Sequence, residues 1–193
     1  MIQKIISGGQ TGADIAGIDA AIGCNVPYGG WLPKGRKTVN GPLSERYTDF
    51  QVMTWGGYPQ RTEQNVIESD GTVIFTYGKL AGGLFLTKRF AVNHNRPWLH
   101  IDLDAMREPV TKIIDWIIEW DIKILNIAGK SGSKAPEIHD QVKGIIRQVL
   151  EGTMGKTITK EEARVIIENY LVGNPDLRDS QAGTAIIYDL AVF

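Results

Sequence analysis

The chain has 193 residues, 42% of them hydrophobic, and a formal net charge of -1. That is enough to bury a core as one domain with an addition, and too little positive charge for a general nucleic-acid binder. No apolar run approaches the roughly 20 residues of a membrane helix. The N-terminus carries no basic start, long apolar stretch and cleavage site of a secretory signal, and Cys24 is the single cysteine. A cytoplasmic protein without internal disulfides is therefore expected.

Apolar runs alternate with amphipathic ones along the chain. Residues 4–7 read as a buried strand. Residues 11–22 read as a helix, with Ile15, Ile18 and Ile22 at intervals of three and four. After a short apolar piece at 24–26, residues 29–47 are rich in Gly, Pro and charge and read as a loop. Strands are predicted at 50–54, 71–76, 98–101 and 122–127. Helices are predicted at 58–68 and 81–93, and around Ile113–Trp120 and Ile138–Val149. Strand–helix units repeated in this way imply a Rossmann-like, doubly wound, mainly parallel sheet with helices on both faces. Ligands in such sheets bind at the carboxyl ends of strands.

The pattern changes after Gly152, so a ligand-binding domain over 1–152 and a C-terminal extension over 153–193 are expected. Thr159 and Glu162 have capping-box spacing for a helix over 160–171. A polar linker at 173–180 leads to an apolar end at 185–193. That end is expected to pack on a neighbouring subunit and make a homo-oligomer, the alternative being a tail folded back on its own sheet.

Three turns and one loop are candidates for holding an anion. In SGGQTGAD, Gly8, Gly9, Gln10, Thr11 and Gly12 join the first strand to the first helix, with Thr11 as cap and Asp14 as the capping-box acid. The turn reads either as an anion cradle at a helix N-terminus or as a tight turn with an ordinary cap. It is neither the dinucleotide fingerprint nor a P-loop. The stretch YGGWLPKGRK offers Gly30 and Trp31 with the cations Lys34 and Arg36, suited to phosphate or carboxylate and to a flat ring. Its alternative is a solvated basic loop with Trp31 as a plug. Gly82 and Gly83 open the helix that carries Thr87. Gly129, Lys130 and Ser131 form the third turn. Together they suggest a cleft for a small phosphorylated, flat, nucleotide- or pterin-like molecule. Arg61 and Asn65 share a helix face, while Asp70 at a strand's amino end reads as structural. His94, His100 and His139 have no metal spacing, and neither a protein-ligated metal site nor a catalytic residue is assigned.

The motifs SGGQTGAD, GGWLPKGR…GPLSERY, RTEQNV…SDGT, GG…LT and LNIAG…SKAPEI resemble the family named "putative molybdenum carrier", over about residues 3–150. That family groups with the molybdenum cofactor carriers and the lysine-decarboxylase-like, nucleotide-binding Rossmann folds. The resemblance implies a Rossmann-like fold and a molybdopterin-binding role, with the molybdenum cofactor or a nucleotide as ligand. The sequence departs from the pattern at Ile15, where the family has Arg. It departs again after Gly82-Gly83, where the Glu of the related phosphoribohydrolases has no counterpart. The alternatives are a phosphoribohydrolase-like enzyme, which would need a cleft acid such as Glu63, and a nucleotide-ligand sensor or assembly protein.

Overall fold

The computed structural model describes residues 1–153, and the features expected at 154–193 lie outside the described residues. The first strand, β1 (Lys4–Ser7), is followed by α1 (Ala13–Gly23), β2 (Tyr28–Leu32), a single 3₁₀ turn (Lys34–Arg36) and a two-residue hairpin, β3 (Lys37–Thr38) and β4 (Gly41–Pro42). Then come β5 (Phe50–Val52), α2 (Tyr58–Glu68), β6 (Gly71–Thr76), α3 (Gly83–Asn93), β7 (Trp98–Asp102), α4 (Pro109–Glu119), β8 (Ile124–Gly129) and α5 (Ile138–Thr153).

Six strands form one sheet in the order β5-β2-β1-β8-β6-β7, and all its pairings are parallel. A parallel sheet survives only when both faces are covered, which is why its strands read as continuous apolar runs. Ile5, Val73, Ile74, Phe75, Leu125 and Ile127 are fully buried. α1 and α4 both pack on α5, while α2 packs on α3, giving a helical layer on each face. Trp116 of α4 is in the core, whereas Trp120 just beyond it is more than half exposed. Cys24 is half-buried against the core, at the end of α1.

Besides the short hairpin β3–β4, one strand of the main sheet lies where the composition reads as loop. Residues 28–32 are β2, between β1 and β5. Its glycines hide it, because glycine ordinarily weakens a strand. Close approach requires them. A Cβ on Gly30, at φ +117°, would sit 2.8 Å from Asn65 Oδ1 and 2.9 Å from Ser7 N. The Asn65 side chain bonds the backbone of β2 instead, accepting from Trp31 N at 2.9 Å and donating to Trp31 O at 3.1 Å. Asp70 is structural, as expected: its Oδ2 accepts from Lys123 N at 3.0 Å and Ile124 N at 2.7 Å.

The helix after β1 and the helix after β6 lie in different layers. A crevice therefore opens between them, over the carboxyl end of β8, at the switch point where ligands bind in such sheets.

Candidate functional site

A cavity of about 560 Å³ occupies that crevice, within the range usual for small-molecule sites. Its floor is the end of β8, Asn126 to Gly129. One wall is α2, with Tyr58, Arg61, Thr62 and Asn65. The opposite wall runs from Lys79 to Thr87, and the turn Lys130–Lys134 and the hairpin residue Val39 complete the rim.

The opening turn of the chain reaches the cavity only in part, and most of its amides serve the fold. Gly12, not Thr11, is the cap of α1, at φ 87° and without a side-chain cap bond. A Cβ there would lie 2.5 Å from Lys130 O and Gly132 N, so the residue must be glycine. Four amides of the turn are already taken. Gly9 N donates to Ser7 Oγ at 3.1 Å, Gln10 N to Asp14 Oδ2 at 3.2 Å, Thr11 N to Gln10 Oε1 at 3.0 Å, and Ala13 N to Lys130 O at 3.2 Å. The anion held at this helix N-terminus is the chain's own Asp14. Gly9 faces the core, against Leu32, Leu43 and Phe50. Thr11 Oγ1 is buried without a partner among the described residues. Of this motif Gly8, Gln10 and Asp14 line the cavity.

The basic loop also sits elsewhere. Arg36 donates to Leu43 O, Ser44 O and Tyr47 O at 3.2, 3.0 and 2.9 Å, and so closes its own loop. Lys34, Gly30 and Trp31 are not on the cavity wall, and Arg46 stacks 4.5 Å over Tyr47 and faces Asp19 at 3.6 Å. Glu63 pairs with His94 at 2.8 Å and is no cleft acid. His100 Nε2 meets Thr76 Oγ1 at 2.7 Å, and His139 Nε2 meets Asp19 Oδ2 at 2.9 Å.

Two stretches do converge. Gly82 (φ 56°) and Gly83 open α3, and Cβ atoms at either would meet nothing within 4 Å; Leu84 N and Phe85 N donate to Ala81 O and Gly82 O at 3.2 and 3.1 Å, which leaves Gly83 N without an acceptor among the described residues. Thr87 is buried one turn in, its Oγ1 donating to Gly83 O at 3.2 Å. Gly129 is pressed against Ala13 Cβ and Phe75. Lys130 spans from there to donate its Nζ to Tyr77 O at 2.6 Å, and Ser131 Oγ lies 3.0 Å from Ser133 Oγ.

Arg61, on α2, is the residue that sequence spacing underrated. It is 9% exposed, with its guanidinium against the backbone of Gly8 and its Nη1 3.7 Å from Asp14 Oδ2. Among the described residues its Nε has no acceptor. Burial pulls the Arg61 pKa down although Asp14 pushes it up, and burial raises the Asp14 carboxyl against the pull of Arg61 and the Gln10 amide. Both shifts say that desolvation outweighs the mutual attraction. Lys79, Lys134 and Arg61 join Lys130 on the cavity wall, four cations against the single carboxylate of Asp14. Tyr58 stands outside any motif and Lys79 precedes the glycine pair of α3 by three residues; only the fold brings the two here. Arg61 and Asn65 had a legible signal, their shared helix face.

A family model described as the circularly permutated YpsA SLOG family matches residues 5–150. The chain belongs to that family. The solved structure of a protein named "putative molybdenum carrier protein", from Syntrophus aciditrophicus SB, is 46% identical to this chain. It matches with a TM-score of 0.74, over 77% of this chain and 95% of its own. No curated protein matches the chain. No described helix is long and apolar enough to cross a membrane.

Proposed function

We propose that the chain is a carrier or binding protein for a small phosphorylated heterocycle, with the molybdenum cofactor or a nucleotide as the ligand. The observation that carries this reading is the glycine-opened N-terminus of α3 facing the same cavity as Arg61, Lys79, Lys130 and Lys134. The Gly83 amide and the helix dipole there favour an anion. The buried guanidinium with an unused Nε supplies a donor that is already desolvated. The related Syntrophus protein is named for carrying molybdenum, and the molybdenum cofactor is a phosphorylated heterocycle of the chemistry this cleft suits. Among the described residues no three His, Cys, Asp or Glu side chains group to hold a metal. A metal in this cleft would thus arrive on its organic ligand, with the protein holding the phosphate end. Cleavage of a nucleotide is less well supported, because the one carboxylate on the cavity wall, Asp14, is committed to Arg61 and the Gln10 amide. The test is calorimetric titration with AMP, a pterin phosphate and inorganic phosphate, beside mass spectrometry of small molecules released from purified protein. Binding of a phosphorylated ring, lost on Arg61→Ala, is the expected result; no binding of any of the three, with no ligand released, overturns the reading.

A further inference from the structure

The cavity has a polarity gradient. Its depth is polar and buried: Asp14, Arg61, Asn65, Thr87 and Asn126. Its rim carries apolar surface left in water, Val39 at 53% exposure and Tyr58 at 43%. Tyr58 is the first residue of α2, ahead of Pro59, so its position is fixed by a rigid helix start. Gly57 N bonds Gln60 Oε1 at 2.9 Å, and the Thr62 hydroxyl bonds Tyr58 O at 2.8 Å, which hold that start in place. The Arg61 guanidinium carbon lies 5.9 Å from the ring centroid. Among the described residues no other aromatic ring packs on Tyr58. A large flat ring with the Arg61 guanidinium over one face, half exposed at a cleft mouth, offers its remaining surface for stacking.

We propose that Tyr58 is the stacking platform that selects a flat heterocycle over a simple phosphate, with the ring at the rim and the phosphate in the depth. The proposal rests on the cleft being the phosphorylated-ligand site, and the experiment separates the two. AMP and a pterin phosphate serve as ring-bearing probes and inorganic phosphate as the ringless one, titrated into the wild type, Tyr58→Phe and Tyr58→Ala, with circular dichroism confirming the fold of each. Stacking on an aromatic side chain changes affinity by roughly 5- to 150-fold per base. Tyr58→Ala should weaken the tighter of the two ring-bearing probes by at least about tenfold and leave inorganic phosphate within about twofold. Tyr58→Phe, which keeps the face of the ring, should retain the affinity. Equal losses for ringed and ringless probes, or no loss for either, overturn the role of Tyr58 while leaving the cleft as the site. Binding of ringed probes no tighter than inorganic phosphate in the wild type does the same. Absence of binding by all three overturns both.

Discussion

Two residues show how the opening turn serves the fold and the cleft at once. Asp14 and Arg61 are buried together, and each pKa is moved by burial against its partner's influence. A buried pair of this kind stabilises little, yet breaking it is costly. Arg61→Ala should destabilise the protein by about 3–5 kcal/mol, because Asp14 is left as an uncompensated buried charge. The double variant Asp14→Leu with Arg61→Met should unfold in urea near the wild-type midpoint while losing affinity for phosphate. A double variant as unstable as Arg61→Ala would mean the pair stabilises the fold. The pH sign follows from Asp14. Its folded pKa lies above its unfolded one, so its contribution to stability is present below the unfolded value and is lost as pH rises through the folded value. The deficit of Arg61→Ala should accordingly shrink as pH falls toward 4, measured as urea midpoints across pH. Gly9 marks the other side of the turn. A Cβ at Gly9 would be driven into Leu32 and lie 3.1 Å from Leu43 Cδ2, at φ +66°. Gly9→Val should cost at least about 1–3 kcal/mol by overpacking, so that the double glycine reads as a packing device. An unchanged melting temperature would refute this.

The helices and strands that sequence periodicity located are those whose burial is dictated by the sheet itself. Residues 58–68 and 71–76 begin and end in the structure where apolar spacing and the Ser-Asp-Gly break put them. β2 escaped because Gly29 and Gly30 are needed for the close approach of Ser7 and Asn65, and that demand comes from tertiary neighbours. Glycine pairs before helices look alike in sequence whether the amides beyond them are used or bare. At α1 they are occupied by Ser7, Asp14, Gln10 and Lys130; at α3 Leu84 N and Phe85 N are taken by Ala81 O and Gly82 O of the same turn, and Gly83 N has no acceptor among the described residues. Site residues spread over separate elements, such as Lys79 and Tyr58, carry no mutual spacing to be read. The contrast between the two turns is testable at α3. An acid at the first position of a helix stabilises it through the dipole by roughly 0.3–1 kcal/mol, and a side chain at Gly83 meets open space. Gly83→Asp should leave the melting temperature equal or higher. The same substitution should weaken inorganic phosphate binding about tenfold or more, since it fills the anion's place with a fixed negative charge. Undiminished phosphate binding would move the anion away from α3.

At the scale of the whole molecule the charge is unevenly spread. The chain carries a net -1, while the cavity wall sets four cations against one carboxylate. An anion therefore meets a local positive field inside a nearly neutral protein, which favours capture of a small charged ligand over adhesion to nucleic acid. Lys79 and Lys134 are exposed and Arg61 is buried, so salt should act on the first two and spare the third. Every described cavity residue falls between Gly8 and Lys134, and the six strands of the sheet and the five described helices close upon one another by Thr153. A chain ending at Thr153 should consequently unfold cooperatively in urea. It should bind phosphate within about twofold of the full chain, with the same decline as salt rises from 0.05 to about 0.5 M, where the screening length falls below about 5 Å. Light scattering on the two chains then reads what residues 154–193 contribute to assembly, separately from binding. A non-cooperative transition in the shorter chain would place part of the folding core in 154–193. A tenfold weaker affinity with folding intact would place part of the site there.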